Sequence, residues 1–353
     1  MSIKIAHLAD LHIRGLSRHK EYQLAFEDLY TKLRSLSPDL ITIVGDIWHT
    51  KCQSISPEGI EVITSLFQEL ADIAPLHITL GNHDGILSNS DRQDVISPLV
   101  SAMGNPNIHL YKKSGVYPTG IEGFDWCVYS CFDEKNWKKI KSKKDRVSIG
   151  LFHGPIRGCK YDNGSVDSRC DTTIDFFKGC SFVFLGDLHE NQNLAFRKTE
   201  EVSKAWIAYP GSFLQQNYGE SLEKGFLFWT IISEDDFDIE FIPIENRQPF
   251  YTIDWKDDVK TTLTQVESPY KLGSRYRIKV KDSTVNQLQI AHLKNELKDV
   301  CGAEQTSVVF DTINKIDTIE TNGEQIKKID LKKQRQNKKI HNKKHIKKEA
   351  QDV

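Results

Sequence analysis

Three short apolar segments separated by helical patterns constrain the fold of the N-terminal part of the chain. The apolar segments are 3–9, 39–45 and 75–81, and they are the near-continuous kind that a covered parallel sheet buries on both faces. Residues 19–36 carry leucines at near-helical spacing, and 56–73 begin with a helix N-terminal signal. Alternating strands and helices imply right-handed crossovers, so this region is predicted to form a mainly parallel sheet covered by helices.

Local signals mark the ends of these two helices. Pro38 ends the first, because proline cannot donate the backbone hydrogen bond that a continuing helix requires. Ser56 is a good N-cap for the second, since its hydroxyl can accept a hydrogen bond from a free N–H of the first turn. Pro57 suits the first helical position.

The pattern becomes β-rich after about residue 105. Apolar strand patterns with few long helical patterns between them predict a second sheet stacked on the first: 124–131, 147–153, 181–186, 205–209, 225–232 and 237–244. Beyond Pro249, a strand (275–280), a helix (285–300) and a strand (306–312) predict a small α+β unit. The predicted organisation is a main domain (1–245), a small α+β cap domain (246–313) and a tail (314–353).

The tail differs in charge from the rest of the chain. The formal net charge of all 353 residues is −2, yet the last 27 contain 11 Lys/Arg and only 3 Asp/Glu, so the remainder is distinctly acidic. A basic tail on an acidic body favours an anionic partner, either nucleic acid or an acidic protein face. A disordered solubilising tail has the same composition, so charge alone leaves both readings open.

The cysteines and the hydropathy of the sequence indicate the cellular compartment in which the protein is expected. The seven cysteines are an odd, scattered set without a C-x-x-C pair, which argues against a disulfide framework or a zinc ribbon and for a reducing cytoplasm. We find no apolar run long enough to cross a bilayer and no signal-peptide pattern in residues 1–14, so no membrane association is expected.

Polar, metal-capable side chains follow the predicted strands. Ligands gather outside the carboxyl ends of strands in open α/β sheets, so these side chains are expected to converge. They are Asp10 and His12 in "ADLH", Asp46 in "VGDIWH", Asn82, His83 and Asp84 in "LGNHD", His153 in "LFHGP", and Asp187 and His189 in "GDLH".

The donor set indicates two metal ions. Three carboxylates, an amide oxygen and three or four imidazoles are too many for one tetrahedral zinc, and they suit two five- or six-coordinate ions that share a carboxylate. Oxygen-rich sites with imidazole favour Mn²⁺, with Fe²⁺, Zn²⁺ or Mg²⁺ as alternatives. Asp46 is the natural bridging ligand, because Gly45 beside it lets the backbone come close.

The order "DLH", "GD", "GNHD", "FHG", "GDLH" resembles the motif series of the calcineurin-like metallophosphoesterase superfamily. The resemblance implies a four-layer αββα sandwich of two mixed sheets. It also implies that one metal is held by Asp10, His12, Asp46 and His189, and the other by Asp46, Asn82, His153 and Asp187.

The same resemblance implies roles for two residues that do not bind metal. His83 would contact the scissile phosphate and protonate the leaving oxygen, and Asp84 would orient His83. One position departs from the pattern, because the superfamily usually has histidine where this chain has Asp187. A carboxylate can still be a ligand there, and it would shift the preference towards Mn²⁺ or Mg²⁺.

A narrower resemblance comes from the segment 209–229, "YPGSFLQQNYGESLEKGFLFW". It is similar to a segment of SbcD-type nucleases, which are the nuclease subunits of SbcC–SbcD and Mre–Rad DNA repair complexes. Phage recombination endonuclease subunits belong to this type. The resemblance implies a Mn²⁺-dependent DNA nuclease, with exonuclease activity on duplex ends and endonuclease activity on single strands or hairpins. It also implies an SMC-like ATPase partner, a homodimer within a heterotetramer, and a bacterial or phage-infected host cytoplasm. The tail would then bind the ATPase or DNA.

Four cations on one predicted strand form a candidate contact with the DNA backbone. Arg275, Arg277, Lys279 and Lys281 are spaced two apart and would share one strand face. A solvated strand face is the alternative reading.

Two other functions remain open. The same metals could serve a phosphatase or phosphodiesterase that acts on a non-DNA phosphoester, although the 209–229 segment, the small domain and the basic tail argue against it. A non-catalytic scaffold on a decayed phosphoesterase fold is expected to have lost ligands, whereas only position 187 is unusual here.

Overall fold

The computed structural model describes residues 2–50, 55–89, 92–143, 145–195, 206–266, 273–281 and 285–310. The predicted tail (314–353) lies outside the described residues. The α-helices are α1 (His19–Leu36), α2 (Pro57–Ile73), α3 (Ser97–Met103), α4 (Val259–Leu263) and α5 (Gln287–Cys301). The strands are β1 (Ile3–Leu8), β2 (Leu40–Val44), β3 (Leu76–Thr79), β4 (Ile108–Tyr111), β5 (Gly115–Pro118), β6 (Phe124–Tyr129), β7 (Val147–His153), β8 (Phe182–Gly186), β9 (Gln192–Ala195), β10 (Trp206–Tyr209), β11 (Gly225–Ile231), β12 (Phe237–Pro243), β13 (Phe250–Asp254), β14 (Arg275–Val280) and β15 (Gln305–Phe310).

Two six-stranded mixed sheets form the main domain. The first has the order β12-β11-β1-β2-β3-β4, in which β1 to β4 are parallel and β11 and β12 are antiparallel. The second has the order β5-β6-β7-β8-β10-β9, with a parallel centre and antiparallel edges. The predicted mixed α/β fold with two mixed sheets is confirmed. The assignment of 225–232 and 237–244 to the second sheet was wrong, because β11 pairs with β1 and β12 with β11, which extends the first sheet.

Hydrophobic clusters separate the layers. Helices α1, α2 and α3 pack on one face of the first sheet, where Leu29 and Phe67 are fully buried. The two sheets meet around Phe184 and Trp229, whose stacked rings lie 4.5 Å apart. The outer face of the second sheet is covered by short 3-10 helices, Glu134–Lys139 and Ile174–Phe177, and not by α-helices in the part of the chain that the structure describes.

The predicted helix signals act as expected. The Ser56 hydroxyl accepts a hydrogen bond from the Gly59 N–H at 3.1 Å, and Pro57 is the first residue of α2. Helix α1 ends at Leu36, where Ser37 adopts a left-handed conformation with φ of 50° before Pro38. No helix within the described ranges is long and apolar enough to cross a bilayer.

A third sheet of three parallel strands, β13-β14-β15, lies within the range predicted for the cap domain. It has its own hydrophobic cluster, in which Tyr276, Leu293 and Leu297 are fully buried. A domain boundary at residue 246 stays a prediction.

The four cations predicted to share a face of β14 differ in their exposure to solvent. The Arg275 guanidinium is buried and lies 2.9 Å from the Glu21 carboxylate, so it is not available to a phosphate. Lys279 and Lys281 are exposed. Arg275, Arg277 and Lys279 alternate along β14 as the spacing predicted, whereas Lys281 follows the end of the strand. The spacing could not show that Glu21 covers Arg275.

Candidate metal centre

The predicted metal-capable residues meet where strands of both large sheets end. Strands β1, β2 and β3 of the first sheet are followed by Asp10 and His12, by Asp46, and by Asn82 and His83. Strand β7 of the second sheet ends at His153, and β8 is followed by Asp187 and His189. Five segments that are distant in sequence therefore form one site.

Four of these residues hold an unfavourable backbone conformation. Asp10, His12, Asp46 and Asp187 have φ of 51°, 47°, 54° and 94°. A non-glycine residue in this region costs on the order of 1–3 kcal/mol, and such residues persist where the surrounding structure holds them for function. The strained backbone at these four positions directs the side chains of four potential ligands towards the same site.

Asp46 lies at the centre of the site. Its side chain is 2 % exposed, with Oδ2 3.5 Å from Nε2 of His12 and Oδ1 3.3 Å from Nε2 of His153. The two oxygens thus face two different imidazoles, an arrangement that suits a bridging carboxylate. A Cβ on Gly45 would lie 2.2 Å from Nδ1 of His153, and one on Gly81 would lie 2.2 Å from Oδ1 of Asp46, so only glycine fits at either position.

Asp10, His12 and His189 form the first ligand cluster. Their ligand atoms lie within 4.8 Å of one another. Nε2 of His12 is 3.0 Å from Nε2 of His189 and 3.9 Å from Oδ1 of Asp10. Nδ1 of His189 contacts the Glu220 carboxylate at 2.9 Å, so its proton is held there and Nε2 faces the cluster.

His153, Asn82 and Asp187 form the second cluster beside Asp46. Nδ1 of His153 donates to the Val44 carbonyl at 2.8 Å, which leaves Nε2 as the free ligand atom of the ring. That Nε2 and Oδ1 of Asn82 are both buried without a hydrogen-bond partner. The amide nitrogen of Asn82 donates to Oδ1 of Asp187 at 2.8 Å, and that oxygen is 3.7 Å from Nε2 of His153.

The two unpartnered atoms test whether metal ions fit this donor set. A buried polar atom without a partner costs about 1–3 kcal/mol, and a cation ligated by both atoms would remove that cost. Burial also raises the pKa of Asp10 well above its ordinary value, although His153 and His189 oppose this effect. Two divalent cations would offset the charge of the three clustered carboxylates. The residues present fit a two-metal centre.

His83 stands at the open side of the site. Its side chain is 27 % exposed, and its Nε2 is 3.9 Å from Oδ2 of Asp46. Its Nδ1 donates to the His49 carbonyl, and its backbone N–H donates to Oδ1 of Asp46 at 2.8 Å. Nε2 is thus the nitrogen that faces the centre.

The orientation of His83 by Asp84 stays a prediction, and the hydrogen bonds of Asp84 go to the backbone. The Asp84 carboxylate is buried and accepts the backbone N–H groups of Ile47 and Trp48, both at 2.9 Å, and of Gly81 at 2.8 Å. Burial raises the pKa of Asp84 to about 7. Asp84 therefore holds the loop after Asp46, and it acts on His83 only through the backbone that carries the His49 carbonyl.

Sequence reasoning missed two residues beside the predicted metal ligands. Nδ1 of His49 is 3.4 Å from Nδ1 of His12, and the His49 ring stacks on His83 at 5.7 Å. Burial, with help from the nearby Arg14, lowers the pKa of His49 to about 4. Glu220 holds His189, as described above. His49 ends the quoted "GDIWH" and Glu220 ends the "YGE" of the 209–229 segment, so both were in view without a role.

An open cavity of about 540 Å³ lies beside the second cluster. Asp187 and His189 form one wall, and a turn between Lys160 and Val166 forms the other. A substrate can therefore approach the ligands from solvent.

Residues 3–199 match the family model described as calcineurin-like phosphoesterase. The chain belongs to the calcineurin-like phosphoesterase family. Membership and the ligand clusters together make this a metal-dependent phosphoester hydrolase with a site for two divalent ions.

Similar proteins include two sequence relatives and one solved structure. An uncharacterised protein, R555, of Acanthamoeba polyphaga mimivirus is 33% identical over 307 residues, which cover 83% of this chain, whereas this chain spans about a fifth (21%) of that protein's length. The SbcD component of the nuclease SbcCD of Staphylococcus epidermidis is 22% identical over 312 residues, or 79% of this chain and 76% of that protein. The crystal structure of a dimetal phosphatase from Danio rerio matches with a TM-score of 0.43 and 10% identity over 69% of this chain and 96% of that one.

Proposed function

We propose that this phosphoesterase is a Mn²⁺-dependent DNA nuclease, an exonuclease on duplex ends and an endonuclease on single strands and hairpins, in an SbcCD-like complex. The observation that carries the proposal is the extent of the match to the SbcD component of the nuclease SbcCD. The family model ends at residue 199, but the SbcD match covers 79% of this chain. It therefore includes part of the chain beyond the family-model match.

The SbcD-like segment 209–229 is built into the metal centre. The Phe213 N–H donates to the Asp10 carbonyl at 3.2 Å, and the Ser212 N–H donates to the His189 carbonyl, also at 3.2 Å. The Lys224 ammonium is buried and donates to the same His189 carbonyl at 2.7 Å. The part of the chain that resembles nucleases thus holds the backbone of two metal ligands.

The described residues support in-line hydrolysis of a phosphodiester. Bound divalent ions supply Lewis acidity and a water molecule of lowered pKa. His83 can donate a proton from Nε2 to the leaving oxygen while its Nδ1 stays bonded to the His49 carbonyl. The His49 ring stacks on His83 and limits its rotation. His83 is thus held in position by a backbone acceptor and a neighbouring ring.

The proposal includes partners. An SMC-like ATPase would bind the basic tail (314–353); alternatively, the tail would bind DNA. The nuclease would act as a homodimer within a heterotetramer. Its compartment would be a bacterial or phage-infected cytoplasm. Deletion of residues 314–353 should weaken capture of the ATPase and spare Mn²⁺-dependent cleavage of simple substrates. Unchanged capture would refute this role of the tail.

Substrate choice is tested with the purified full-length chain in Mn²⁺. Labelled linear duplex, a single-stranded circle and a hairpin are compared with p-nitrophenyl phosphate. We expect cleavage of the DNA substrates, which Asp46→Ala abolishes. Rapid monoester turnover without DNA cleavage would replace the nuclease by a phosphatase, and no turnover together with no bound metal after reconstitution would favour a non-catalytic scaffold.

A further inference from the structure

The loop Gly211–Glu220, hereafter the coupling loop, joins a metal ligand to the small third sheet. At its C-terminal end, Oε1 of Glu220 contacts Nδ1 of His189 at 2.9 Å. Oε2 of Glu220 accepts from the Ser212 hydroxyl at 2.8 Å and from the Gln216 N–H at 3.0 Å. Glu220 therefore fixes both the imidazole of a metal ligand and the fold of its own loop.

Gln215 links the coupling loop to strand β13. Its Oε1 accepts the Phe250 N–H at 2.9 Å, and its Nε2 donates to the Phe250 carbonyl at 3.3 Å, so the side-chain amide pairs with this residue as a neighbouring strand would. The same Nε2 donates to the Glu220 carbonyl at 3.1 Å. Gln215 is fully buried. One amide thus contacts both the small sheet and the residue that holds His189.

A buried ionic chain runs parallel to this contact. Arg18 donates to the Gln215 carbonyl at 2.9 Å and pairs with Glu21 at 2.7 Å. Glu21 also pairs with Arg275 of β14 at 2.9 Å, and Arg275 donates to the Gln248 carbonyl at 2.8 Å. Arg18, Glu21 and Arg275 are each less than 10 % exposed. Loss of Glu21 would take the carboxylate partner from both buried arginines, so the chain favours one position of the sheet.

We propose that Gln215 is a positioning residue that couples the seating of the small sheet to the geometry of the metal ligand His189. The coupling is reciprocal, because metal binding and the seating of the sheet are linked equilibria, and each changes the equilibrium constant of the other by the same factor. Metal binding therefore stabilises the seated sheet, and displacement of the sheet by a ligand or a partner weakens the metal that His189 holds. The inference rests on the metal centre of the family and not on DNA as the substrate.

Hydrogen exchange of the full-length protein tests the reciprocity without any substitution. Amide exchange in β13 (Phe250–Asp254) is measured with and without saturating Mn²⁺. Partners that orient a ligand change metal affinity by about 10–100-fold, so we expect Mn²⁺ to slow exchange in β13 by about tenfold. Asp46→Ala, which lacks the bridging ligand, should lose this effect. Equal exchange in the wild-type protein with and without Mn²⁺ would overturn the proposal.

The chain offers a matched control for a Gln215 variant. Gln265 makes the same amide pairing at the other end of β13, where Oε1 accepts the Asp254 N–H at 3.1 Å and Nε2 donates to the Asp254 carbonyl at 2.6 Å. Gln265 follows α4 and, among the hydrogen bonds of the described residues, has no such link to Glu220. Gln215→Leu should abolish the effect of Mn²⁺ on exchange and weaken one Mn²⁺ by about tenfold in calorimetry. Gln265→Leu should speed exchange in β13 but keep both the Mn²⁺ effect and the affinity.

The outcomes separate this inference from the proposed function. If both leucine variants weaken Mn²⁺ equally, Gln215 has only a structural role and the inference fails. If Mn²⁺ protects β13 as expected but DNA is not cleaved, the nuclease assignment fails and the coupling stands.

Discussion

Glu220 holds the predicted metal ligand His189 from the side opposite its Nε2, with Oε1 2.9 Å from Nδ1. Burial opposes the charge of this carboxylate, but His189 and Lys224 lower its pKa to about 2, so it stays ionised at neutral pH. An ionised acceptor fixes the tautomer and makes the ligating nitrogen more basic.

Removal of this charge should weaken the first metal. We expect Glu220→Gln to lower the affinity of one Mn²⁺ by about 10–100-fold and to leave the other nearly unchanged, as measured by calorimetric titration. Glu223→Gln removes the same charge from an exposed position three residues away and should have no effect. Equal loss of both ions would show that Glu220 supports the whole site and not His189 alone.

The roles of the ligands predict different metal stoichiometries. Asp46 faces both His12 and His153, so Asp46→Ala should lose both ions. Asp187 lies beside His153 and Asn82, so Asp187→Ala should lose one. Elemental analysis after reconstitution and desalting gives the counts. Two ions in purified Asp187→Ala would remove this carboxylate from the ligand set.

His83 should separate catalysis from metal binding. Its Nε2 faces the centre, whereas its other nitrogen is bonded to a backbone carbonyl. A general acid contributes typically about 10²–10⁴-fold, so His83→Ala should lose turnover by that factor and keep both metals. Cleavage of the proposed DNA substrates and metal content are measured on the same preparation. If the variant loses a metal, His83 is a ligand and not an acid.

The fold and the metal-capable residues could be inferred because their signals are local. Asp10, Asp46 and Asn82 each lie within a few residues of an apolar strand, and the rule for strand ends in α/β sheets brings them together. The supporting contacts depend on tertiary structure. Glu220 is 31 residues from His189, and Gln215 is 35 residues from Phe250. No local pattern indicates such pairs.

The contacts of Asp84 could not be inferred from the sequence for a related reason. The motif places Asp84 next to His83, but consecutive side chains in a tight turn point in different directions. Asp84 turns inwards to three backbone N–H groups, whereas the ring of His83 faces the open side of the site. Sequence adjacency was therefore a poor guide to contact.

A buried histidine between the sheets should make the fold sensitive to acid. Nδ1 of His77 accepts from the Trp126 indole at 3.2 Å and contacts the Tyr111 hydroxyl at 2.8 Å. Protonation of Nδ1 would remove the acceptor of the indole N–H, which can only donate. Burial, with a smaller contribution from His109, lowers the pKa of His77 to about 3 from 6.5.

The sign of the effect follows from proton uptake. Between pH 6.5 and 3 the unfolded chain binds a proton at His77 that the folded chain does not, so stability falls as the pH falls through this window. One such group contributes a slope of about 1.4 kcal/mol per pH unit. We expect His77→Phe to reduce the slope of the unfolding free energy by about that amount in urea titrations of metal-free protein between pH 6 and 4.5. His292→Gln, at an exposed position on α5, should leave the slope unchanged. An identical slope in wild type and His77→Phe would mean that His77 is protonated within the fold.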